Sequence, residues 1–244
     1  MKIKSIKTLA RIGGMLYLII IIFGLWQELY VRGSIIVAAD AAATARNLKS
    51  MELLWRFGIA SELLLAIITI VLGFITYILT RPVSKDLALL ALIFNIVAIA
   101  VETGYSLQLV EALFPLGNHA ELKAFTPGQL YGLTSLSIFA HSIGFAIALF
   151  LFSPFFLVTG YLVYSSGYFP KALGILYMIP GLCYFSSSLA LIIAPAFASR
   201  YYFVLVGSAF IGELSFCLWL LIMGVNSVKW ENTTRSEGNI ITFV

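Results

Sequence analysis

Charge is scarce in this chain. Only 11% of its 244 residues are charged, against about 25% in a soluble domain. Cysteine is nearly absent: Cys183 and Cys217 both sit inside apolar runs. Two such residues exclude a disulfide framework and a thiolate metal motif, and they read as small packing residues. Histidine is equally rare, and His119 and His141 alone exclude a three-histidine metal site. There is no His-Glu-x-x-His and no Gly-x-Ser-x-Gly, so no motif spells catalysis, and nothing identifies a cofactor. The serine run Ser186–Ser188 follows a Pro180-Gly181 kink and reads as bonding freed backbone carbonyls.

What the chain has is apolar surface. Hydrophobic residues make up 61%, and the mean hydropathy is +1.02. Both point to an all-α, polytopic membrane protein with the lipid bilayer as its partner. The net charge of +4 then reflects topology rather than nucleic-acid binding.

A bilayer core needs roughly 20 apolar residues per helix. Six stretches qualify, at about 12–31, 54–80, 87–112, 139–164, 172–193 and 202–226. They predict a six-helix bundle forming a single transmembrane domain over 1–227, followed by a polar cytoplasmic tail, 228–244. The runs are continuous rather than alternating, which excludes a β-barrel. "TRPVSKD", "SSGYFPK" and "APAFASRYY" separate successive spans. The basic N-terminus and first apolar run resemble a signal peptide. Glu28 and Arg32 lie between that run and the small residues at 37–40, so the first span reads as a retained anchor. With the N-terminus inside, nine basic residues face the cytoplasm and six face outward. The expectation is an inner-membrane protein with both termini cytoplasmic.

Two outer connections are long. In the first, Asp40 is a good N-cap for an Ala-rich helix. In the second, Thr126-Pro127 has the form of a helix start, so the fourth span is free to begin well before 139. Trp230, Tyr161, Tyr164 and Tyr168 fit interfacial belts. A weak internal repeat links the ends of the bundle. "RIGGMLYLI" (11–19) resembles "KALGILYMI" (171–179), and "IASELLL" (59–65) resembles "FIGELSF" (210–216). It reads as duplication of one helical hairpin, spans one and two against five and six.

The polar residues inside the spans carry the functional signal. Glu28 and Arg32, four apart, form an i,i+4 pair in the better order, with Arg32 reaching toward water. Glu62, Glu102 and Glu213 lie in the outer half or near the midplane, and His141 opens the fourth span. An ionisable group at the bilayer centre costs at least about 2.5–3.5 kcal/mol on insertion scales, so these acids ask for partners. Arg32, Arg56, Arg200 and His141 are the candidates. Thr69 and Thr76 continue the stripe from Glu62, and Asn95 and Ser106 that from Glu102. Glu62 and Glu213 are expected to converge, with Glu102 and His141 beside them, around a cation, a proton or a small amphipathic ligand entering from outside. Composition also leaves open a Glu-Glu-His metal site serving an intramembrane lipid hydrolase, and a structural or accessory protein whose acids are all ion-paired. The balance is against an enzyme.

"ARIGGMLYL", "QELYVRGS", "ADAAATARN", "RFGIASELL", "GYLVYSSGYFP" and "GELSFCLWLL" together resemble the bacterial membrane proteins grouped as domain of unknown function 4386, over roughly residues 8 to 227. The resemblance implies a multi-helix membrane domain and carries over no catalytic residue. Members of that family often have Asp in the triple-serine region and His near Phe155. This chain has Ser187 and Phe155 there, which lowers the enzyme reading further.

Overall fold

The structure is a computed structural model that describes residues 5–240, and the side chains of all of these except 197–206 and 236–240. Among the described residues there is no strand. Helix α1 (Ile6–Trp26) runs into a π-helical turn (Gln27–Arg32) and the short α2 (Gly33–Ile35), an unbroken 30-residue rod. At 1.5 Å per residue that is about 45 Å, more than the roughly 30 Å hydrocarbon layer. Next come α3 (Ala41–Ser50), α4 (Glu52–Thr80), α5 (Lys85–Tyr105) and α6 (Leu107–Glu111), then two 3-10 turns, 114–116 and 120–124. Helices α7 (Pro127–Ser165), α8 (Lys171–Ile193), α9 (Pro195–Ile222) and α10 (Ser227–Ile240) complete the chain.

Five to six of these helices are long and apolar enough to cross a membrane. Most of each span faces away from the protein: Ile67, Phe74, Ile192 and Ile222 are among many large apolar side chains left exposed. A soluble protein would not tolerate that surface, whereas lipid requires it.

Local chemistry sets the helix ends. The Asp40 carboxylate accepts from the Ala43 amide at 2.8 Å and caps α3. At the head of α7, Gln129 Oε1 accepts from the Thr126 amide at 2.8 Å, and Thr126 Oγ1 accepts from the Gln129 amide at 3.4 Å, a reciprocal capping box. The fourth span therefore starts at Pro127 and runs for 39 residues. The polar tail is helical too. It breaks from α9 near Gly224, whose φ of +68° suits glycine, and the axis turns by 97°.

Packing divides the chain into two compact units. One comprises Met1–Ile19, Ile68–Ile99 and Ala146–Val244, the other Ile20–Ile67 and Ala100–Phe145. Helices α1, α4, α5 and α7 each give part of their length to both.

The first unit is held by close backbone approaches and an aromatic core. A Cβ on Gly14 would lie against the backbone of Leu221, and one on Gly212 against the Leu176 carbonyl. A Cβ on Gly174 would meet the Tyr164 amide nitrogen and sit 2.6 Å from the Gly160 carbonyl oxygen. Small residues let apolar helices gain dispersion contacts where no hydrophobic force acts between them. Around them pack Tyr17, Phe155, Phe156, Tyr177 and Phe216, with the Tyr177 and Phe216 rings 4.1 Å apart. The Leu79 carbonyl, in the last turn of α4, accepts from Tyr168 Oη at 2.8 Å and from Trp230 Nε1 at 3.1 Å, satisfying an acceptor that a helix end leaves open. Gly174→Ala should force α7 and α8 apart and cost about 1–3 kcal/mol. Thermal unfolding in detergent measures this, and a wild-type midpoint would show that the contact gives way easily.

In the second unit the long connections fold onto the helix ends. Val31, Ile35, Leu48, Trp55, Ile59, Leu109, Ala112, Leu113 and Ile138 form its buried core. Trp55 donates its indole N–H to the Leu109 carbonyl at 2.9 Å, tying α6 to α4.

Candidate binding site

The site grows out of the π-helical turn. In an α-helix, residues five apart point about 140° away from each other. The wider π coil rotates them back toward one face, and such turns are frequent at functional sites. Gln27 and Arg32 are five apart, and both reach α4. The Gln27 amide nitrogen donates to the Gly58 carbonyl at 2.9 Å and to Ser61 Oγ at 2.8 Å. One turn further along α4, Arg32 Nη2 donates to Glu62 Oε2 at 3.0 Å. Gly58 permits this approach, because a Cβ there would press on Val31 Cγ1 at 3.0 Å.

Glu62 is buried and saturated. Its Oε1 accepts from Ser106 Oγ at 2.6 Å and stands 3.1 Å from His141 Nε2. Ser106 follows α5, and His141 lies on α7. Those two helices meet where the Tyr105 ring fills the open side of Gly144. His141 is itself buried, with its ring stacked along Phe145. Arg32 holds a second carboxylate, since its Nη1 lies 3.0 Å from Glu28 Oε2. Glu28 is more than half exposed and Glu62 hardly at all, so a single guanidinium links a solvated acid to a buried one. Glu102 is half-buried, close enough to feel the charges of Glu62 and Arg32. Beside the centre lies a narrow cleft with room for about one water molecule, lined by Gln27, Arg32, Trp55, Gly58, Ile59 and Glu62 among others.

The second unit thus brings together Glu62, His141, Arg32 and Glu28, with Glu102 in electrostatic range. Arg56 stands apart from them, bonded to Glu52 one turn back on the surface of α4, 2.7 Å between Nη2 and Oε1. Glu213 belongs to the first unit and is bonded there. Tyr17 Oη donates to its Oε2 at 3.0 Å, and Tyr184 Oη donates to Oε1. The Arg200 side chain lies outside the described residues.

Sequence reasoning missed Gln27 and both tyrosines, and it used Ser106 only as part of a stripe. For Ser106 a signal existed: it lies four residues past Glu102 on one face. For Gln27 there was none, because its direction depends on the π turn.

Residues 12–224 match the family model described as a domain of unknown function, DUF4386. The chain belongs to that family. An uncharacterized protein of Archaeoglobus fulgidus is 34% identical to this DUF4386 protein over 169 residues, 69% of this chain and 84% of the relative. No solved structure matches it.

Proposed function

We propose that this DUF4386 protein is a multi-pass membrane protein that binds a proton or a small ligand at the Glu62 centre. The observation that carries this is the Glu62–His141 contact, 3.1 Å long and buried, inside a cluster that also holds Arg32. One proton gained or lost on that pair changes the net charge of a group the surrounding helices cannot resolvate. Intramembrane ionisable residues with such partners mark ion and proton pathways by default. A metal cation suits the centre less well. It would have to displace the guanidinium, and among the described residues no three His, Cys, Asp or Glu side chains are grouped to hold one. The reading assigns no catalytic residue.

The basic residues support an inner-membrane protein with both termini cytoplasmic. Nine of the fifteen fall at the N-terminus, the α4–α5 and α7–α8 turns and the tail, and these alternate to one side. On that orientation the Glu62 centre lies in the outer half, about 15 Å along α4 from its start.

Trp55 lines the same cleft as Glu62 and reports on it. In detergent, the part of the tryptophan emission lost in Trp55→Phe should titrate with pH, and Glu62→Gln and His141→Gln should flatten the titration. An identical pH profile in Glu62→Gln would defeat the proton reading. It would favour a second one, a structural or accessory protein, for which the bonding of both Glu62 oxygens within the unit already speaks.

A further inference from the structure

The first unit has a polar pocket of its own. It is open to the surface and is lined by Lys7, Trp219, Asn226, Lys229 and the turn residues Gly167–Pro170, among others. Lys7 lies in the first turns of α1 and Trp219 in the last turn of α9. Gly167–Pro170 join α7 to α8, and Lys229 opens α10. Every wall is therefore the end of a membrane-length helix, or of the helix bent by 97° from one. The ends of membrane-length helices are where hydrocarbon gives way to water.

Its chemistry has one sign. Among the described residues two ammonium groups line it and no carboxylate does. Among the described residues the Lys229 ammonium has only a long contact with the Gly167 carbonyl, 3.5 Å, and both lysines are exposed. The Trp219 indole N–H is buried and has no hydrogen-bond partner among the described residues. A buried donor left unsatisfied is uncommon and asks for an acceptor. The amino end of the 14-residue α10 opens at the same place, where Asn226 Oδ1 accepts from the Lys229 amide at 3.1 Å, and it adds a positive partial charge. Beside the polar wall, Ile222, Met223 and Val228 are exposed and apolar.

We propose that this pocket binds the phosphate headgroup of an anionic phospholipid, with Lys7 and Lys229 on the phosphate charge and Trp219 Nε1–H donating to a phosphate oxygen. The exposed apolar residues favour a lipid over free phosphate, because they offer a path for the acyl chains. Basic pockets between membrane helices bind anionic headgroups on these terms.

Native mass spectrometry of the detergent-purified full chain tests this, with phosphatidylglycerol, phosphatidylcholine and inorganic phosphate as probes. Phosphatidylglycerol should remain bound where phosphatidylcholine does not. Lys7→Gln with Lys229→Gln should weaken its retention about 30-fold, at roughly fivefold per lysine. Trp219→Phe, which keeps the ring and removes the donor, should weaken it about tenfold. Lys49→Gln with Lys123→Gln removes the same charge elsewhere and should change nothing. Wild-type retention in the lysine pair variant would overturn the site, as would equal retention of phosphatidylcholine. Displacement of the lipid by inorganic phosphate at equal concentration would overturn the lipid assignment. The lysines are exposed, so their variants are expected to fold, and gel filtration before the measurement checks that.

Discussion

Arg32→Gln should destabilise the protein by about 3–5 kcal/mol, whereas Glu28→Gln should cost about 1 kcal/mol or less. The asymmetry follows from burial. Arg32 bonds both acids at 3.0 Å, but the Glu62 side chain is 9% exposed and Glu28 is 56% exposed. Losing Arg32 leaves Glu28 to water and strands Glu62 beside His141 and Ser106, without its permanent cation. A buried charge deprived of its partner carries most of its desolvation penalty uncompensated. Arg32→Gln combined with Glu62→Gln should recover much of the loss, because an amide at 62 can still bond Ser106 and needs no cation. Denaturant unfolding in detergent of the three single variants and the double gives the coupling directly. If Arg32→Gln and Glu28→Gln cost the same, Arg32 serves only the exposed pair, and the Glu62 centre is not held by charge.

The spans were legible because hydrocarbon imposes length and composition on each of them separately. The caps were legible for a similar reason. Asp40 and Thr126-Pro127 act within three residues, and both start helices as their chemistry requires. The fourth span begins at 127 rather than 139 because that capping box outranks the drop in hydropathy between them. The partners of the buried acids were harder to read. Glu62 is bonded by residues 44 and 79 positions away, and Glu213 by one 196 positions away. No local pattern encodes such pairs.

The matched segments show where resemblance has physical content. Gly14 and Gly174 both take a neighbouring backbone where a Cβ would be. Tyr17 and Tyr177 are both buried, and their rings meet edge to face. Glycine and tyrosine at that spacing set a helix contact, so a shared motif gives a shared role. Glu62 and Glu213 share a small residue before and a leucine after, yet one is met by a guanidinium, an imidazole and a hydroxyl, the other by two phenols. What surrounds an acid is supplied by other helices, and the motif says nothing of them.

The tyrosine pair gives the other large effect. Tyr17→Phe with Tyr184→Phe should cost about 2–6 kcal/mol, at about 1–3 kcal/mol for each buried hydrogen-bonding partner left unsatisfied. Phenylalanine keeps both rings in place, including the edge contact of Tyr17 with Tyr177 and that of Tyr184 with Phe156. The loss therefore isolates the two hydroxyls. Glu213 would then lie within an apolar helix with, among the described residues, no remaining side-chain donor and no basic partner. Adding Glu213→Leu to the phenylalanine pair should restore most of the stability, since removing a stranded polar group and its donors together is close to neutral. The thermal midpoints of the double and triple variants in the same detergent decide it. If the triple variant is no more stable than the double, the hydroxyls contribute through packing, and Glu213 is satisfied by something other than Tyr17 and Tyr184.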